Sequence, residues 1–267
     1  MKKWTTVLIT LIACIGLTAC GGGNSGADGS AGTKVKLATE AAYAPMIFMD
    51  KDKVSGFDVD IAAAVMEEAG LDWDITNMGW DTMLESVKQG TEYKASIAAI
   101  SITDDRRLTY DYTVPYFESR NMILVPKGSG IENALDLIGK KVDVQLSTTA
   151  DFLMSGIMGR DNTNLKRFDS NAVALMELDG GGVDAVVADF AIVWEYVKNH
   201  PNDKYEYIMD TDNFTPEYYG ILLPKGSELK AKLDPAIKAI LKNGVYADIY
   251  KKWFGEEPNL EGLLNAE

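Results

Sequence analysis

From Val35 onward, short apolar runs alternate with amphipathic stretches, the pattern of a chain that lays helices against strands. Residues 35–38 read as a first strand. Over residues 57–69, Val59, Ala62, Ala63, Val65 and Met66 recur at helical spacing, and Gly70 stops the helix. Residues 72–76 read as a strand, 81–88 as a helix capped by Asp81 and ended before Gly90, and 96–100 as a buried strand. The theme then repeats. An apolar segment at 134–137 and Gly139 precede a strand at 142–146. A helix follows over 148–158, capped by Thr148 or Thr149, and then a helix over 172–178, a strand at 185–188 and a helix over 191–197. Helices over 230–241 and 246–253 close the chain. The fold class is therefore α/β.

One segment is echoed. Ile123-Leu124-Val125-Pro126-Lys127-Gly128-Ser129 recurs as Ile221-Leu222-Leu223-Pro224-Lys225-Gly226-Ser227, each a strand ended by a Pro-x-Gly turn. Chance recurrence of turn residues is one reading. The other is that the chain enters a second lobe near the first copy and leaves it near the second, which makes a hinge and an inter-lobe cleft.

The first residues follow a different rule. Lys2 and Lys3 precede a short apolar run over 7–17, and Leu17-Thr18-Ala19-Cys20 ends it, as in a secretory signal. The run is short for a bilayer span. The four residues ending at Cys20 resemble the lipobox of bacterial lipoproteins, which implies cleavage before Cys20 and lipid on its thiol; an ordinary signal peptide with an incidental cysteine is the alternative. Residues 21–33, rich in Gly, Ser, Ala and Asn, read as a flexible tether.

Composition narrows the function. The 267 residues carry 26 Lys and Arg against 40 Asp and Glu, a net charge of −14, and 46% are apolar. That suffices for a core and argues against a nucleic-acid surface. Cleavage would take the charge to −16 and remove Cys14, so the apparent pair of Cys14 and Cys20 would leave no free thiol. The single histidine, His200, stands beside Pro201 and Asn202 and reads as solvated; it excludes a His-rich metal site and leaves few routes to a nucleophilic triad. No phosphate-binding Gly-x-x-x-x-Gly-Lys loop and no Gly-x-Ser-x-Gly elbow occur, and Gly180-Gly181-Gly182 reads as a turn. No metal and no cofactor is expected.

The most specific stretch is Ala98-Ala99-Ile100-Ser101-Ile102-Thr103-Asp104-Asp105-Arg106, followed by Tyr112-Thr113-Val114-Pro115-Tyr116. Gly56-Phe57-Asp58-Val59-Asp60, Trp80-Asp81, Leu135-Asp136-Leu137-Ile138-Gly139-Lys140-Lys141-Val142, Val183-Asp184-Ala185-Val186-Val187-Ala188-Asp189 and Ile249-Tyr250-Lys251-Lys252-Trp253-Phe254-Gly255 accompany it. In this shared order they resemble the periplasmic-type solute-binding proteins, family 3, of polar amino-acid ABC importers, over residues 34 to about 258. The resemblance implies a two-lobed type II periplasmic-binding-protein fold with mixed sheets, flanking helices and a two-strand hinge. Its divisions would be a signal at 1–19, a lipidated cysteine and linker at 20–33, lobe one at 34–118 plus 217–267, and lobe two at 119–216.

The resemblance also assigns a site. Arg106 would grip the ligand carboxylate, which a planar guanidinium matches with two hydrogen bonds; alone it would read as a surface ion-pair partner. Thr148 and Thr149 would bring a helix N-terminus to that carboxylate, or simply cap the helix. Asp189, Ser101 and the Ala99 carbonyl would hold the ammonium, with Asp189 also placed as a helix cap. Tyr43 and Trp80 would sandwich the aliphatic part, and would otherwise be core. Glu40 and Gln145 would face the side chain, so a polar or cationic amino acid is favoured; exposure of Glu40 is the alternative. Departures from the family bear on ligand identity: Tyr43-Ala44-Pro45-Met46 ends in Met, Gly90-Thr91-Glu92-Tyr93-Lys94-Ala95 lacks an aspartate, and Ser147 stands where the family has glycine.

The expected activity is capture of a free amino acid and delivery to an ABC permease, by an exported, lipid-anchored monomer that performs no catalysis. Two other readings stand: a cyclohexadienyl-type dehydratase on the same fold, and a sensor domain for a separate signalling partner.

Overall fold

The computed structural model describes residues 34–200 and 204–265. The expected signal segment, Cys20 and the tether lie outside the described residues. Within them, the alternating pattern resolves into two five-stranded sheets, each covered by helices.

In chain order the elements are β1 (Val35–Thr39), β2 (Ala42–Tyr43), β3 (Ile47–Asp50), β4 (Lys53–Ser55), α1 (Phe57–Glu68), β5 (Trp73–Asn77), α2 (Trp80–Gln89), β6 (Ala95–Ser96), α3 (Asp104–Arg107), β7 (Tyr110–Tyr112) and β8 (Phe117–Ser119). There follow β9 (Asn121–Pro126), a 3-10 turn (Ala134–Leu137), β10 (Val142–Gln145), α4 (Thr149–Met158), β11 (Leu165–Phe168), α5 (Asn171–Asp179), β12 (Ala185–Asp189), α6 (Phe190–Asn199) and β13 (Tyr205–Ile208). β14 (Glu217–Tyr219), β15 (Leu222–Pro224), α7 (Lys230–Asn243), α8 (Val245–Phe254) and α9 (Glu261–Asn265) complete them.

The two sheets have the same plan. One runs β5-β1-β6-β15-β7 and the other β11-β10-β12-β9-β13. Each has three parallel strands, then an antiparallel strand (β15 or β9) that the chain adds after crossing from the other lobe. The crossings themselves, β8 and β14, pair antiparallel as a two-stranded hinge, with Ser119 opposite Glu217 and Phe117 opposite Tyr219. The echoed segments are thus the first strands after each crossing, one in each lobe.

Helix α1 buries Phe57, Ile61, Ala62, Val65 and Met66, so its inner face is turned from the expected one: Ala63 is exposed and Val59 half-buried. Three further expectations need correction. Asp81 does not cap α2; Gly79 holds that position and Trp80 is already helical. The strand expected at 96–100 is only Ala95–Ser96, because Ala99 has φ +50° and breaks the extended run while staying buried. His200 is not a freely solvated side chain: its ring packs 4.1 Å from that of Tyr196 and its Nδ1 lies 2.7 Å from the Tyr196 carbonyl.

Candidate ligand-binding cleft

In an open α/β sheet the carboxyl ends of parallel strands leave a crevice, because the connections there diverge to opposite faces. Here two such edges face each other. Glu40 follows β1, the segment 97–101 follows β6, Gln145 ends β10 and Asp189 ends β12. All ten residues expected at the site, Glu40, Tyr43, Trp80, Ala99, Ser101, Arg106, Gln145, Thr148, Thr149 and Asp189, line one cavity.

Arg106 sits on the short helix α3, whose cap Thr103 accepts the Arg106 N–H at 3.2 Å. Its guanidinium donates to the Ser101 carbonyl at 3.0 Å and, across the cleft, to the Ser147 carbonyl at 3.1 Å. It stacks 5.5 Å from the Trp80 ring, whose Nε1 also reaches the Ser147 carbonyl. These contacts fix the plane of the guanidinium and leave further donors to the cavity. Ser147 takes φ +62°, the left-handed turn that glycine adopts without strain, which explains the family's glycine at this position. Beyond it Thr148 caps α4, accepting from the Asp151 N–H at 3.4 Å and donating to the Gln145 carbonyl at 2.7 Å. The first turn of α4 therefore opens onto the cavity beside Arg106, a positive end next to a positive side chain.

Another part of the lining is acidic. Asp189 stands at the start of α6 but makes no capping bond; it accepts the Tyr219 hydroxyl at 2.5 Å instead. Burial and the neighbouring Glu217 charge push its carboxyl up from the ordinary range. Glu217, from the hinge strand β14, accepts the Ser101 hydroxyl and the Asn121 amide, each at 2.5 Å. The Tyr43 hydroxyl is buried in the same region and has no hydrogen-bond partner among the described residues.

The third region is bounded by Glu40, Gln145 and Asn171. Glu40 is only 7% exposed, so the exposed alternative does not hold. Both its oxygens accept from Gln145 Nε2, at 3.0 and 2.9 Å, and Asn171 Nδ2 donates to Gln145 Oε1 at 2.7 Å. No basic side chain pairs with Glu40 among the described residues. Burial pushes its carboxyl up to about 7, against the Gln145 bond and with the Asp81 charge.

Sequence reasoning missed Glu217 and Asn171. Both lie outside the motifs, at a hinge strand and a helix start, and only the tertiary fold brings them to the site. Ala98, Ala150 and Ala188 also line the cavity; the first and last lie in the quoted motifs but were assigned no place in the site.

Two α/β lobes joined by a two-strand hinge, with a charge-lined cavity between them, make a solute-binding protein. The sequence pattern of the bacterial extracellular solute-binding proteins, family 3, matches residues 35–256, and the chain belongs to that family. Among its relatives, the probable histidine-binding protein of Neisseria gonorrhoeae is 35% identical over 263 residues, 96% of this chain and 97% of that protein. The arginine-binding extracellular protein ArtP of Bacillus subtilis is 28% identical over 96% of this chain and all of its own length. The crystal structure of the arginine-, lysine-, histidine-binding protein ArtJ of Geobacillus stearothermophilus is similar with a TM-score of 0.84 and 48% identity, over 86% of this chain and 99% of that one. An ancestral arginine-binding protein bound to arginine gives a TM-score of 0.78 and 37% identity, over 83% and 98%. Among the described residues, no helix is long and apolar enough to cross a membrane.

Proposed function

We propose that this protein captures a free cationic amino acid in the inter-lobe cleft and presents it, closed, to an ABC importer. The observation that carries the reading is Glu40: a buried carboxylate with no basic partner among the described residues, in a cavity whose other charges already match an amino acid's common part. Arg106 and the α4 N-terminus suit the ligand carboxylate. Asp189, Ser101 and the Ala99 carbonyl suit the ammonium, with Glu217 reinforcing the charge. Tyr43 and Trp80 flank the aliphatic stem, and a cationic side chain would replace Gln145 as the partner of Glu40. Similarity to ArtJ and to the arginine- and histidine-binding relatives supports the same choice. No bond need be made or broken: the two sets of groups come from both lobes, so the ligand stabilises the closed form by its differential contacts.

On this reading lobe one is 34–118 plus 217–267 and lobe two 119–216. The mature protein begins at Cys20, whose lipid holds a monomer outside the cell membrane on the 21–33 tether. Acyl chains contribute about 0.8 kcal/mol per buried methylene, so two or three anchor stably. Mass spectrometry of protein made in a bacterial host tests the anchor: a diacylglyceryl mass on Cys20 is expected, and an unmodified Cys20 overturns it.

A thermal-shift screen of the twenty amino acids tests the central reading. A micromolar ligand at millimolar concentration stabilises by about 4 kcal/mol. L-arginine, L-lysine or L-histidine should give the largest shifts, and no shift with any amino acid overturns the proposal.

A further inference from the structure

The Gly56-Phe57-Asp58-Val59-Asp60 run sends no side chain into the cavity. Three of its residues are explained by packing. Gly56, at φ +135°, lies so close to the Met46 backbone that a Cβ would stand 2.2 Å from the Met46 oxygen. Phe57 is the hub of rings from Tyr116, Phe117, Tyr246, Tyr250 and Phe254. Asp60 receives Lys252 Nζ at 2.6 Å and Trp253 Nε1 at 2.7 Å, which ties α8 to α1.

Asp58 is a different case. Its side chain is wholly buried, and no basic group pairs with it among the described residues. Such a carboxyl is costly to bury, and burial pushes it up to about 7 despite two hydrogen bonds. Those bonds are its only described partners. Oδ2 accepts the Ala99 N–H at 2.7 Å, and Oδ1 accepts the Tyr116 hydroxyl at 2.9 Å. Ala99 itself is a cavity-lining residue at φ +50°, a backbone state that L residues other than Asn and Asp seldom enter without support. Only beyond it does the chain pair again, at the bridge between Ser101 and Tyr219.

We propose that Asp58 is a positioning residue for ligand capture. Gripping the Ala99 N–H from beneath, its carboxyl group holds the peptide at Ala99 in the left-handed turn that sets the orientation of this segment's carbonyl groups at the ammonium end of the cavity. An extended residue 99 would reverse that peptide plane. The free energy lost in burying Asp58 is on this view offset by a preorganised site, since the turn need not be ordered by the ligand. The inference rests on the reading that the cleft takes the ammonium of an amino acid.

The test is a titration of the full chain with L-arginine, followed by the fluorescence of Trp80 in the cavity wall, together with urea unfolding. Asp58→Leu removes the acceptor, Asp58→Asn keeps one acceptor oxygen for Ala99, and Tyr116→Phe removes the other donor while sparing the Ala99 bond. Asp58→Leu should weaken arginine binding by about tenfold or more, the loss expected for a hydrogen bond to a charged group. Asp58→Asn should restore affinity to within roughly threefold of the wild type, and Tyr116→Phe should lower the urea midpoint with affinity kept within roughly threefold. Arginine binding by Asp58→Leu at the wild-type affinity overturns the inference, as does an equal affinity loss in Tyr116→Phe. If Asp58→Leu does not fold, Asp58→Ser replaces it with the same expectations, its hydroxyl being too short to reach Ala99. A wild-type protein that binds no amino acid overturns the cleft reading and this inference together; binding with Asp58→Leu unchanged overturns the inference alone.

Discussion

Arg106 shows how a single side chain acquires a role from its surroundings. Carbonyl groups from both lobes and the face of Trp80 hold the guanidinium, so on the proposed reading its remaining donors would meet a ligand already oriented. Arg106→Ala should cost about 2–5 kcal/mol of affinity, as for truncating one partner of a buried charge pair, and calorimetry on the folded variant reads it. On the proposed reading, Glu40 sets the choice of ligand. Glu40→Gln should lose affinity for L-arginine while keeping or gaining affinity for L-glutamine, which competition binding measures. The pH dependence follows from the raised Glu40 carboxyl, near 7 in the ligand-free site. A cationic side chain needs the ionised form, so a proton must leave on binding below that value. Arginine affinity should therefore rise with pH between about 5.5 and 7, by at most about tenfold per unit for each proton that Glu40 and Asp189 release, and then level off. A titration series across that range in which affinity falls as pH rises would contradict it.

At the scale of elements, periodicity carried much of the fold. The helices α1, α2, α4, α5, α6, α7 and α8 were legible from apolar positions at helical spacing, and the strands β1, β5, β10 and β12 from short apolar runs. The three-stranded β2-β3-β4 unit was not, since its strands are too short to show a period. Residues 97–101 misled for a physical reason: they are as buried as a strand, but one left-handed alanine turns them out of the ladder. Cavity-lining residues were legible where the motifs run, as at Ser101, Arg106 and Asp189. The site was illegible at Glu217 and Asn171, which only the crossing at the hinge and the start of α5 bring near. The α4 N-terminus permits a prediction at this scale. Thr148 both caps the helix and ties it to β10. Thr148→Ala should cost about 0.5–2 kcal/mol of stability, read by urea unfolding, and should weaken ligand binding because the helix end frays.

For the whole molecule, buried acids set the response to pH. Burial raises Asp58 and Asp143 to about 7 along with Glu40, and Asp189 moves in the same direction. Asp143 is wholly buried on β10, and among the described residues neither of its oxygens has a hydrogen-bond partner. The unfolded chain releases these protons near 4, whereas the folded chain keeps them to about 7. Between those values the folded state binds more protons, so ligand-free stability falls as pH rises through that window and is flat above it. Asp111, Asp179 and Asp210 are shifted down and act only at the acid end. The melting temperature without ligand should therefore be higher at pH 5 than at pH 7.5; a steady rise over that range would contradict the assignment. Ligand should reverse part of the trend, since it supplies cations to Glu40 and Asp189.

The claim that unites these scales is that two half-sites, one on each lobe, close on a cationic amino acid. Isothermal titration calorimetry of the mature protein with L-arginine at pH 7.5 tests it most directly. The account predicts saturable one-to-one binding in the micromolar range or tighter, with L-lysine or L-histidine competing and L-glutamate failing to compete. No heat of binding with any of the three cationic amino acids, or equally tight binding of L-glutamate, would contradict it.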